Sequence, residues 1–219
     1  MFNPGKCLPS LIGTTKILHI AIYHFGKLFL ARTHVEVHGK QLVENFQGNA
    51  IFAANHASEL DPFVACLALD QAGLLRTRLP LIFLSREKAF YNDMGFVKST
   101  LYGGFLFRLL GAHPVTPKNE RTSEATRRNT LETHLALLKA GYPVMIFPEG
   151  TRTMTGSLLP AKMGVAILSE ESGCPIIPLA IDGTFKLSFG DFWHGRKKVR
   201  VVFGTPLVLH RHRSTIAVA

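Results

Sequence analysis

Residues 143–152 read Pro143-Val144-Met145-Ile146-Phe147-Pro148-Glu149-Gly150-Thr151-Arg152, and the fold is decided here. A short uncharged run ends on Pro and Gly, the pattern of a strand buried on both faces. Upstream, residues 120–140 carry a helical period. They are polar at first, then place Leu131, Leu135 and Leu138 at i, i+4 and i+7, and Gly141 stops them. Downstream, residues 162–171 read as a helix stopped by Gly173, and residues 175–181 and 199–203 read as strands. Towards the amino terminus, Val35-Glu36-Val37 alternates as a strand, and residues 50–54 and 81–84 are short apolar runs. Strands alternating with helices imply an α/β domain whose mixed, largely buried central sheet is flanked by helices.

Composition agrees. The chain has 219 residues, 47% apolar and 18% charged, which excludes a disordered polymer and allows one large domain. Lys and Arg exceed Asp and Glu by ten, and the excess is spread along the chain. An apolar, basic chain fits an anionic membrane surface or nucleic acid. No nucleic-acid module with basic residues interleaved among aromatics is present, so nucleic acid is not expected as a partner. Cys7, Cys66 and Cys174 are odd in number and far apart, so neither a disulfide framework nor a zinc site is expected. Modest size and the absence of Asn-x-Ser/Thr sequons lean towards a bacterial protein.

Residues 11–31 place Leu11, Ile17, Leu18, Ala21, Ile22, Phe25, Leu28 and Phe29 within an arc of roughly 140° at helical spacing. Lys16 and Lys27 fall opposite. That is the pattern of a helix lying in a bilayer interface, or of one packed on the protein's own core. The expected division is an amphipathic membrane-associating helix over 1–32 and the α/β domain over 33–219.

Two constellations carry chemistry. Asn55-His56-Ala57-Ser58-Glu59-Leu60-Asp61-Pro62 follows an apolar strand. Asp61 at the N-cap and Pro62 at the first helical position would start a helix. In a continuous helix His56 and Asp61 would lie about 140° apart, so only a turn brings them together. Joined, the carboxylate would fix the ring tautomer and leave the other nitrogen as a base. Apart, Asp61 is a cap and His56 a loop histidine. In Phe147-Pro148-Glu149-Gly150-Thr151-Arg152, Gly150 permits close backbone approach and Arg152 can grip an anion with two donors. Glu149 could accept from a substrate hydroxyl or orient Arg152. The plainer alternative is a tight turn with a surface ion pair.

Taken together, H-x-x-x-x-D after a strand and F-P-E-G-T-R about 90 residues later resemble the glycerolipid acyltransferases, whose best-known branch acylates 1-acyl-glycerol-3-phosphate. Lys162-Met163-Gly164-Val165-Ala166 and Pro175-Ile176-Ile177-Pro178-Leu179-Ala180-Ile181 resemble two further blocks. One block departs: Gly111-Ala112-His113-Pro114-Val115-Thr116-Pro117-Lys118 puts proline where the family places a phosphate-binding arginine. Lys118 or Arg121 is the expected substitute, as a point charge or as a fork.

The resemblance implies acyl transfer from acyl-CoA or acyl carrier protein, as co-substrate and not cofactor, to a lipid hydroxyl. His56 would be the base and Asp61 its orienting partner. Arg152, with Lys118 or Arg121, would hold the acceptor's anionic head, and Glu149, Gly150 and Thr151 would shape that pocket. No metal is implied. Membrane lipids are the expected partners, at the cytoplasmic face of a bacterial inner membrane. Residues 105–110 are apolar enough to line an acyl track or to be core.

Overall fold

A computed structural model describes residues 13–21, 24, 35–74, 79–86, 111–115 and 124–209. Its strands are β1 (Val35–His38), β2 (Ile51–Ala54), β3 (Ile82–Arg86), β4 (Ala112–Val115), β5 (Val144–Ile146), β6 (Ile176–Asp182) and β7 (Val199–Phe203). The helices after β1 are α1 (Asp61–Gln71), α2 (Glu124–Lys139), α3 (Gly164–Ser172) and α4 (Phe189–Trp193). The seven strands form one sheet in the order β1-β7-β6-β2-β5-β3-β4. Strands β6, β2, β5, β3 and β4 run parallel; β7 is antiparallel to β6, and β1 is parallel to β7. The mixed α/β sheet expected from the alternating pattern is therefore present.

Period-two alternation sorts the core into two layers, one on each face of the sheet. Phe52, Ala54, Met145, Ile177, Leu179, Val199, Val201 and Phe203 share one layer with Val64, Ala65, Ala68 and Leu69 of α1. Ile51, Val144, Ile146 and Ile176 share the other with Leu131, Leu137 and Leu138 of α2 and Leu168 of α3. Because β2 and β5 are buried on both faces, their sequences show unbroken apolar runs.

Two details differ from the sequence reading. Helix α1 starts at Asp61, and its N-cap is Leu60 with no side-chain capping bond. The Asp61 carboxylate turns back onto the preceding loop, so it is no cap. Strand β4 was not expected, because it contains Pro114. As the last strand of the sheet, β4 tolerates a residue that cannot donate to a ladder.

Residues 13–21 are helical, and Ile17 and Ala21 on the expected apolar side are exposed. Leu18 on that side is half-buried, and Leu11, Ile22, Phe25, Leu28 and Phe29 lie outside the described residues. So do Lys118, Arg121 and residues 105–110. No helix among the described residues is long and apolar enough to cross a membrane.

Candidate active site

In register, Ala53 pairs with Ile146 and Ala54 with Leu179. Strands β2 and β5 therefore end side by side while β6 runs on to Asp182, and their carboxyl-end loops share one end of the sheet, where parallel α/β sheets build their sites. The loops are 55–60, 147–163 and 183–198. Asn55 locks the first to β6: its amide donates to the Ile181 carbonyl at 2.9 Å and accepts from the Ile181 N–H at 2.7 Å.

Loop 55–60 turns sharply, and the turn closes on Asp61. Its Oδ2 accepts from His56 Nδ1 at 2.9 Å, from the Ala57 N–H at 2.6 Å and from the Ser58 N–H at 2.7 Å. Asp61 is completely buried, while the His56 side chain keeps 20% of its surface. A carboxylate can only accept, so Nδ1 carries the hydrogen and Nε2 keeps its lone pair. The ring stacks on Phe147, with centroids 4.2 Å apart and planes at 21°. A carboxylate on one edge and an aromatic face beneath hold the imidazole in one orientation.

Loop 147–163 is joined to His56 by backbone bonds. The Glu149 carboxylate accepts from the His56 N–H at 2.7 Å through Oε1 and from the Leu159 N–H at 2.9 Å through Oε2. The Thr153 N–H donates to the His56 carbonyl at 2.9 Å. Glu149 is buried and clamps both loops; its bonds run to backbone N–H groups, not to Arg152. Gly150 has φ 67°, and a Cβ there would collide with the Lys162 side chain, which lies across it. The Lys162 N–H also donates to the Pro148 carbonyl at 2.9 Å.

Arg152 pairs with Glu59 at 2.9 Å, both side chains being about two-fifths exposed. Glu59, between the two motif residues of the first loop, was assigned no role in the sequence reading. Neither was Phe147 as a stacking platform. The sequence offers Glu59 only as an acid inside H-x-x-x-x-D, and Phe147 only as the last apolar residue of its run. Thr151 is exposed beside Arg152. No metal-ligating cluster occurs among the described residues.

The arrangement is an imidazole with one nitrogen held by a buried carboxylate, the other available, and an arginine one loop away. A sequence profile described as Acyltransferase matches residues 34–182, so the chain belongs to that acyltransferase family. Among curated relatives, a chloroplast 1-acyl-sn-glycerol-3-phosphate acyltransferase from Brassica napus is 26% identical over 86% of this chain and 47% of its own length. The 1-acyl-sn-glycerol-3-phosphate acyltransferase of Bacillus subtilis is 32% identical over 57% of this chain and 53% of its own length. The chain thus spans about half the length of the curated relatives it matches. The crystal structure of the 1-acyl-sn-glycerophosphate acyltransferase PlsC from Thermotoga maritima superposes with a TM-score of 0.55 at 22% identity, covering 89% of this chain and 70% of that one, which shows a shared fold.

Proposed function

We propose that this protein transfers a fatty acyl group from an acyl thioester, on coenzyme A or acyl carrier protein, to the free hydroxyl of a lysophospholipid. The acceptor we favour is 1-acyl-sn-glycerol-3-phosphate, giving phosphatidic acid, and the printed names of the relatives support that choice. The observation that carries the reading is the 2.9 Å contact between His56 Nδ1 and Asp61 Oδ2, which leaves Nε2 as the basic atom.

In the reaction, Nε2 takes the acceptor's hydroxyl proton as that oxygen attacks the thioester carbonyl carbon. The tetrahedral intermediate collapses by expelling the thiolate, and the imidazolium returns the proton to sulfur. Asp61 balances the transient charge on the ring. Arg152 receives the acceptor's phosphate. Its exposed pair with Glu59 contributes at most about 1 kcal/mol, so a phosphate dianion with two charge-assisted hydrogen bonds can replace it. A chain acting on lipids works where they are, at the cytoplasmic surface of the membrane as a peripheral or monotopic protein, with residues 1–32 as an anchor and 33–219 as the catalytic part.

The test measures thioester consumption by the full chain and by His56→Ala, with acyl-CoA and acyl carrier protein as donors and a panel of lysophospholipids as acceptors. The expected result is turnover with lysophosphatidate and a loss of roughly 10²–10⁴-fold in the variant, the size of a positioned base. Equal turnover in the variant would overturn the mechanism. Turnover only with another lyso-lipid would overturn the acceptor assignment and leave the acyl transfer standing.

A further inference from the structure

Loop 147–163 and the first turn of α1 present apolar side chains to solvent. Met154, Leu158 and Met163 are 87%, 76% and 71% exposed, and Phe63 in the first turn of α1 is 53% exposed. These residues do not belong to slack segments, because each of the loop three follows or precedes an anchored neighbour. Thr153 is buried and bonded to His56, Leu159 donates to Glu149, and Lys162 is bonded to Pro148. Thr153 Oγ1 also accepts from the Thr155 and Gly156 N–H groups at 3.3 and 3.2 Å. Gly156 then lies so close over the Phe185 ring that a Cβ would crowd it, which joins loop 147–163 to loop 183–198. Apolar side chains on a fixed frame, aimed outward around a site, mark an interaction surface.

The charges of these loops say what the surface meets. Loops 55–60, 147–163 and 183–198 expose Arg152, Lys162, Lys186, Arg196, Lys197 and Lys198. Their acids are Glu59, which faces Arg152, Asp191, which lies 3.7 Å from Arg196, and the buried Glu149. Glu36 of β1 reaches Lys198 at 3.6 Å. The opposite end of the sheet is the contrast. It also exposes apolar residues (Leu42, Leu207 and Val208), but its fully described loops 39–50, 140–143, 173–175 and 204–209 hold Lys40 and Glu44 alone; the connection 72–81 from α1 to β3, which lies partly outside the described residues, carries Arg76 and Arg78.

We infer that the carboxyl-end face of the sheet is a docking surface for an anionic lipid bilayer, with Met154, Leu158, Met163 and Phe63 entering the interface and the surrounding cations facing headgroup phosphates. Apolar side chains ringed by Lys and Arg are the chemistry of interfacial binding. Docked in this way, the surface would hold His56 at the level where lipid hydroxyls lie.

The experiment is flotation of the full chain with vesicles of phosphatidylcholine containing about one third phosphatidylglycerol, without substrates. A triple variant, Met154→Ser, Leu158→Ser and Met163→Ser, is compared with a far-end variant, Leu42→Ser, Leu207→Ser and Val208→Ser. Circular dichroism melts establish that both are folded. The expected result is that the first partitions about tenfold less and the second like the parent, and that binding by the parent falls as salt rises. Undiminished binding by the first variant, or equal loss in both, would overturn the proposal. So would a lipid-free change of oligomeric state in the first variant, which would assign the face to a second copy of the chain. Because no substrate is present, the outcome is independent of whether the protein transfers acyl groups.

Discussion

Three N–H groups converge on one oxygen of Asp61, and this fixes which nitrogen of His56 can act. Two of the three come from backbone, so the carboxylate builds the turn as well as orienting the ring. Asp61→Asn keeps one acceptor oxygen for the turn but offers the imidazolium no charge. The expected outcome is a kcat lower by roughly 10²-fold or more with KM for the acceptor little changed, while the melting temperature falls by only a few degrees. Steady-state kinetics beside a thermal melt separates the two effects, and a parallel rise in KM would point instead to a deformed pocket. The pair was legible in the sequence because its members are five residues apart in a loop that must turn. The Glu59 contact of Arg152 was not, since nothing in an acid's own position says which cation it will meet across two loops.

At the scale of elements, the site depends on two strand ends being level. The side-by-side ends of β2 and β5 put the His56 and Leu159 backbones within reach of one carboxylate, and Glu149 uses both its oxygens there. Glu149→Gln has the same shape but only one acceptor. One backbone N–H in a buried place then loses its partner, at a cost of about 1–3 kcal/mol. The expected outcome is a loss of unfolding free energy of that size in urea and reduced turnover whose pH profile keeps the parent's shape, because the proposed base, His56, is unaltered; an altered profile would give Glu149 a proton-transfer role. Residue type alone suggested a group that meets substrate or Arg152. Its use as a clamp rests on register, a pairing 93 residues long in sequence that local patterns do not encode. The same limit explains the strands. β5, β6 and β7 are legible as apolar or alternating runs, whereas β4 hides behind Pro114 and is recognisable as a strand only through its place at the sheet's edge.

Across the whole molecule, the reversed pair β7 and β1 closes one side of the sheet, and α1 covers the face that these strands share with β2 and β6. The stability of that layer has a pH signature. Cys66 of α1 is half-buried against the core, and desolvation of its thiol there pushes it up from 9.0 to about 12. A thiol held neutral in the fold, but free to ionise once unfolded, contributes stability that is complete below pH 9 and declines above it, as the unfolded chain releases a proton that the folded chain keeps. The slope between the two values is about 1.4 kcal/mol per pH unit for this one group. Lysines and tyrosines titrate in the same range, so the informative quantity is the difference between the parent and Cys66→Ala. The substitution is expected to destabilise the protein at neutral pH by about 1 kcal/mol through lost packing, and to do so by less and less as pH rises through 9 to 10.5, the two urea midpoints converging or crossing. Parallel midpoints over that range would mean that the thiol reaches water in the folded protein and that α1 is less closely seated on the sheet than its contacts indicate.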